Sequence, residues 1–102
     1  MKIVMRIVQR FDARDEKRFM ALEKRFAALE KQRPDLPQGR RLQPIAAAEP
    51  CNTLIWEGVF PSLDKAYRAL SEFEGNAEHE RLAKKQHPLF RDVRIEFYRI
   101  IE

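Results

Sequence analysis

The sequence has little that could build a covalent or metal-based framework. Its 102 residues include one cysteine and three scattered glycines, so the chain has no internal disulfide and no glycine-rich phosphate loop. It contains no H-E-x-x-H or C-x-x-C motif, and we expect no metal site. No apolar run approaches the roughly 20 residues of a membrane-spanning helix, so we expect no membrane partner. Because a lone cysteine suits a reducing compartment, we expect a cytoplasmic protein.

The length and charge pattern favour one compact globular unit. The length favours a single domain over residues 1–102, and a 44% hydrophobic content allows a modest core. The net charge of +4 is uneven, with a net +6 in residues 1–47 and a net −2 in residues 48–102. Much of the basic excess stands among acids, as in Glu23-Lys24-Arg25. Mixed charge of this kind is typical of a solvated helix face, and we interpret it so.

Hydrophobic periodicity predicts four strands and three helices. Alternation of apolar residues predicts strands at residues 2–11, 40–47, 53–60 and 91–101. Spacings of three and four predict helices that begin near residues 13, 62 and 77 and end near residues 33, 74 and 86. Pro44 cannot donate to a ladder, so its strand belongs at a sheet edge. Gly75 suits a left-handed end of the second helix.

This element order favours a ferredoxin-like α+β fold, βαββα(α)β, with a four-stranded antiparallel sheet. The strand that contains Pro44 then lies at an edge of the sheet. The helix-facing residues of the first and last strands would be Ile3, Met5, Ile7, Val93, Ile95 and Phe97. The opposite, open face would carry Val4, Arg6, Val8, Arg10, Arg94, Glu96, Tyr98 and Ile100. In strand 53–60 the pattern allows either set of alternate residues to face out.

The open face mixes apolar and charged side chains, which is typical of a surface that meets a partner or a ligand. A symmetric homodimer is the simplest partner, since one patch serves both subunits. Two sheets packed face to face would enclose a cavity for a small apolar or anionic organic ligand. The alternative is a solvated face on which Arg6 or Arg94 forms a salt bridge with Glu96.

Candidate site residues come from this face and from the third helix. His79 is the leading catalytic candidate because its side chain titrates near neutral pH, and Tyr98 is the second. Arginine offers a planar fork to an anionic group, and a tryptophan can line a pocket. The predicted ligand-binding residues are Arg6, Trp56, Arg94 and Glu96. Each has a structural alternative: a core histidine, arginines paired with glutamates, or a tryptophan that fills the core.

The run LIWEGVFPSLDKAYRALSEFEGNAEHERLAKK resembles the dimeric α/β-barrel superfamily. That group includes antibiotic-biosynthesis-type monooxygenases, NIPSNAP-type proteins and stress-responsive A/B-barrel proteins. In several members a strand with an aromatic residue and an acid leads into a helix with an aromatic residue, and then into a short helix with a histidine. Trp56, Glu57, Tyr67 and His79 stand at comparable places. The similarity covers roughly residues 52–101.

The resemblance implies a dimeric α/β barrel that binds or oxidises a small organic ligand in a cavity on the sheet face. An enzyme of this type would be a cofactor-independent monooxygenase, and we expect no cofactor. In heme-degrading members an asparagine on the first strand assists the helix histidine, and this first strand has none. Two alternatives stay open: a non-catalytic structural or stress-related homodimer, and a weak nucleic-acid binder. The single exposed aromatic of the last strand disfavours the second.

Overall fold

The computed structural model describes residues 1–101 and shows a four-stranded antiparallel sheet with helices on one face. The strands are β1 (Ile3–Phe11), β2 (Arg40–Leu42), β3 (Thr53–Phe60) and β4 (Phe90–Arg99). The helices are α1 (Glu16–Gln32), α2 (Leu63–Glu74) and α3 (Ala77–Gln86). The strand order is β2-β3-β1-β4, so the predicted ferredoxin-like fold is confirmed. Within residues 1–101 every helix is too short or too polar to cross a membrane.

Side-chain caps determine where α2 and α3 begin. The Ser62 hydroxyl accepts a hydrogen bond from the backbone N–H of Lys65, and the Asn76 side chain accepts one from the backbone N–H of His79. Both bonds satisfy N–H groups that lack a partner within the helix. Gly75 ends α2 with a φ of −79°, so the expected left-handed conformation is wrong. Only Gly75 and Asn76 therefore separate the two helices.

Strand β2 is shorter than predicted. It ends at Leu42, and Pro44 lies in the following loop rather than inside an edge strand. Proline lacks the N–H that would continue the ladder, so pairing stops before it. The side chain of Glu49, in that same loop, forms an ion pair with Arg94 of β4. The loop thus contributes a charged contact on the open face.

The register of the strands decides which side of β3 faces the helices. Trp56 pairs with Ile7 of β1, and Glu57 pairs with Arg6. Because paired residues share a face, Trp56 points to the helices and Glu57 to the open face. One large cluster of the core contains Ile3, Met5, Trp56, Ala66, Ala69 and Phe73.

The helices cover β4 incompletely. Val93 and Ile95 lie on the helix side as expected, yet each remains 42% exposed. Phe97 is the better covered residue, since its ring centroid lies 4.8 Å from that of Tyr67 on α2. Strand β4 is an edge strand, and the helices pack mainly over its neighbour β1 and over β3.

Candidate functional site

A cavity of about 170 Å³ lies between the helix side of the sheet and the helices. Its walls are largely apolar, with aromatic rings from Phe26 of α1, Trp56 of β3 and Phe73 of α2. An apolar cavity of roughly 150 Å³ can hold benzene, so this cavity suits a small molecule with a single ring. The polar residues that line it are Gln9, Glu23, Glu30, Arg41, His79, Gln86 and His87.

Two glutamates and one arginine form a buried ion cluster in the cavity wall. Glu23 and Glu30 of α1 are only 6% and 4% exposed. Arg41 of β2 donates from Nε to Glu23 at 2.8 Å, and its two terminal nitrogens donate to Glu30 at 3.1 and 2.5 Å. Burial opposes the charge on Arg41, but the hydrogen bonds to both carboxylates outweigh it and raise the pKa of the guanidinium.

Neighbouring side chains complete the hydrogen bonds of both carboxylates. The Trp56 indole nitrogen donates to Glu30 at 3.3 Å, and the Gln86 amide donates to Glu23 at 2.8 Å. Every carboxylate oxygen of the pair therefore accepts a hydrogen bond. Since two carboxylates share one guanidinium, Arg41, the cluster carries a net charge of −1.

The burial of Glu23 contradicts its interpretation as part of a solvated helix face. A signal for it exists in the sequence, because Phe19, Glu23, Phe26 and Glu30 follow one another at spacings of four, three and four. That spacing places both acids on the apolar stripe of α1, which faces the core. Arg41, also missed, lies opposite Trp56 in the β2–β3 register and so points to the same side.

His79 packs against the aromatic wall of the cavity. Its ring centroid lies 4.7 Å from that of Phe73 and 4.8 Å from that of Phe26. Within residues 1–101 the imidazole nitrogens make no hydrogen bond to the protein, and the cap at Asn76 uses only the backbone N–H of His79. Burial lowers the pKa of His79 and outweighs the opposing effect of Glu30. The ring is therefore neutral at pH 7 and can accept a hydrogen bond or a proton.

Four of the predicted site residues lie on the opposite side of the sheet. Arg6 Nε donates to Glu57 at 2.8 Å, and its guanidinium carbon lies 5.3 Å from the centroid of the Tyr98 ring. Glu96 accepts hydrogen bonds from Arg94 Nε and from the Tyr98 hydroxyl, both at 2.8 Å. Both arginines are therefore occupied by carboxylates, which is the structural alternative that the sequence also allowed.

The hydrogen bonds on the open face also affect titration. Donation from Arg94 and Tyr98 lowers the pKa of Glu96. The same bond to Glu96 raises the pKa of Tyr98, because ionisation would break it and place two negative charges side by side. Tyr98 is thus held as a neutral phenol at pH 7.

The structure divides the six predicted site residues between the two faces of the sheet. His79 and Trp56 line the cavity on the helix side, whereas the others lie across the sheet: Arg6, Arg94, Glu96 and Tyr98. The expected single pocket on the open face is therefore not what the structure shows. The reason is the β3 register, which points Trp56 towards the helices.

The ion cluster predicts unequal effects of two adjacent arginines. Arg41→Met would leave two buried carboxylates without their cation, and we expect the free energy of unfolding to fall by roughly 3–5 kcal/mol. Arg40→Met is the matched control, since the Arg40 side chain is 73% exposed and its partner Glu57 keeps Arg6. We expect a loss of about 1 kcal/mol or less there. Urea unfolding measures both, and equal losses would contradict a stabilising buried cluster.

The environment of His79 predicts a pH effect. Its pKa in the folded protein lies below the ordinary 6.5. The unfolded chain therefore binds more protons between those two values, and stability falls as the pH decreases through 6.5 towards the folded pKa. An NMR titration of the imidazole signals should give a midpoint below 6.5, and His79→Gln should remove this part of the pH dependence. A midpoint at or above 6.5 would exclude the buried, neutral ring.

Comparison with known proteins shows the fold of the chain. No protein-family model matches the sequence. No curated protein matches it either. A crystal structure of a NIPSNAP family protein from Agrobacterium tumefaciens is similar, with a TM-score of 0.81 and 14% identity over 100% of this chain and 95% of that chain.

Two other solved structures agree. A NIPSNAP-like domain protein from Burkholderia xenovorans has a TM-score of 0.75 and 16% identity over 98% of this chain and 85% of that chain. A protein from Nitrosomonas europaea, proposed to be an antibiotic biosynthesis monooxygenase, has a TM-score of 0.66 and 11% identity over 95% of this chain and 88% of that chain. The chain therefore has the ferredoxin-like α+β fold that NIPSNAP and monooxygenase-like structures share.

Proposed function

We propose that this chain is a cytoplasmic homodimer that binds a small organic ligand in the helix–sheet cavity of each subunit. The observation that carries the proposal is an aromatic-walled space of about 170 Å³ that His79 lines with unbonded ring nitrogens. Ligand pockets are typically apolar with a few polar groups that orient the ligand, and this cavity has that composition. The fold similarity to a proposed monooxygenase agrees with a small organic ligand.

His79 is the group in this cavity that can take a proton from a ligand. A general base must be in its neutral form, and burial lowers the pKa of His79 and so favours the neutral imidazole against Phe73. Tyr98 lies across the sheet and bonds to Glu96, so it does not take part in this cavity. If the ligand is turned over, His79→Gln abolishes turnover while the dimer and the fold remain.

The ligand proposal is tested with a single-ring probe, benzyl alcohol. The chain has one tryptophan, and the Trp56 indole N–H lies in the cavity wall, so its NMR signal reports binding there. Ala83→Phe would fill the cavity, since Ala83 lines it, whereas the control Ala28→Phe adds the same ring at an exposed position of α1. We expect a saturable shift in wild type and in the control, and none in Ala83→Phe. An unchanged indole signal in wild type would refute the proposal.

The homodimer is supported by the open face. Val59 is 57% exposed there, beside strands whose charges already pair with each other. A face with satisfied charges and exposed apolar residues can be buried against a copy of itself without leaving a charge unpaired. Such a dimer without ligand or turnover is the structural alternative, and the probe titration separates the two.

The dimer has its own test in native mass spectrometry. Wild type should have twice the chain mass of 12.1 kDa. Val59→Asp would bury an unpaired charge in the interface, so we expect it to shift the mass to the monomer. Leu63→Asp is the control, because Leu63 is similarly exposed but lies in the first turn of α2, on the other side of the sheet. A monomeric wild type at micromolar concentration would contradict the dimer.

A further inference from the structure

We infer that the cavity selects a compact protonated amine, an ammonium group on a body of about one ring. The inference rests on the proposed function and adds the chemical class of the ligand. It follows from three features of the cavity: its net charge, the kind of hydrogen-bonding atoms that remain without a partner, and its aromatic walls.

The charged residues that line the cavity are Glu23, Glu30 and Arg41, beside the titratable His79 and His87. The formal charges of the two carboxylates and the one guanidinium sum to −1. Arg41 already donates to both carboxylates, so its charge is compensated within the cluster. Charge interactions are stronger beside the protein surface than in bulk water. A cation in the cavity would therefore neutralise the surplus charge, whereas an anion would increase it.

Several acceptor atoms in the cavity receive no hydrogen bond from the part of the chain that the structure describes. The carboxylate of Glu23 can only accept, so Gln86 presents its NH₂ group there and keeps its oxygen for a ligand. Gln9 makes one long contact, from Nε2 to the Ile7 carbonyl at 3.5 Å. The carboxamide oxygens of both glutamines receive no hydrogen bond from residues 1–101. Thr53 Oγ1 is the one fully buried polar side-chain atom without a partner in that range, so the two glutamine oxygens are accessible from the cavity. An ammonium group supplies the N–H donors that these oxygens and His79 lack.

The aromatic walls of the cavity also favour a cationic ligand. The ring centroids of Trp56 and Phe73 lie 5.5 Å apart, and that of Phe26 lies 4.8 Å from that of His79. The face of an aromatic ring attracts a cation within about 6 Å, and the attraction grows where the cation is desolvated. An apolar ring attached to the ammonium group would fill the rest of the cavity.

Three probes with the same body and different charge test the inference: benzylamine, benzyl alcohol and benzoate. Each is titrated into the full chain at pH 7.5 while the Trp56 indole signal is followed. We expect benzylamine to bind at least about ten-fold more tightly than benzyl alcohol, and benzoate more weakly than both. If benzyl alcohol or benzoate binds as tightly as benzylamine, the inference is wrong while the ligand proposal stands. If no probe shifts the signal, both are wrong.

Charge variants check that the cluster causes the preference. Glu23→Gln removes the surplus negative charge, and Gln86 can rotate its amide to keep the hydrogen bond. We expect benzylamine to lose its advantage over benzyl alcohol in this variant. Glu78→Gln, at an exposed position of α3, removes the same charge from the surface and should keep the wild-type ratio. An equal effect of both variants would attribute the preference to overall charge and overturn the inference.

Discussion

The bidentate contact between Arg41 and Glu30 is the interaction on which the helix–sheet cavity depends. Strand β2 is only three residues long, and its guanidinium reaches two carboxylates of α1, which ties the sheet edge to the helix. Trp56 of β3 donates a hydrogen bond to Glu30, and Gln86 of α3 donates one to Glu23. Removing charges from water is costly, and this cluster compensates the cost with complete hydrogen bonding. One ion cluster thus holds four of the elements that form the cavity wall.

The two faces of the sheet differ in how their carboxylates and arginines balance. On the open face Glu57 has two arginines, Arg6 and Arg40. Glu49 and Glu96 share Arg94, so three glutamates meet three arginines. The surface is therefore balanced and suits burial against a copy of itself. On the helix side two carboxylates share one arginine, so a negative charge remains beside an unbonded imidazole. A balanced face favours association, whereas an unbalanced, aromatic-walled cavity favours a ligand of opposite charge.

Most of the fold follows from local pattern, and most of the site does not. Alternation in β1 predicts its faces, and the bounds of β3 and α3 are those expected from the sequence. The direction of Trp56 requires the pairing register, which no single strand contains. The charged neighbours of Glu23 favour a solvated position, and only its spacing from Phe19 and Phe26 indicates the core. Its partner Arg41 lies on a strand 18 residues away, so their contact depends on the tertiary fold and does not follow from local sequence pattern.

The most direct test of a ligand cavity on the helix side is the position of a bound molecule. Isotope-filtered NOE spectroscopy on labelled wild-type protein with unlabelled benzylamine measures which protons lie within a few ångströms of the ligand. We expect NOEs to Phe26, Phe73 and His79, which line the cavity. NOEs to Val59 and Tyr98 instead would place the ligand on the open face and contradict the account.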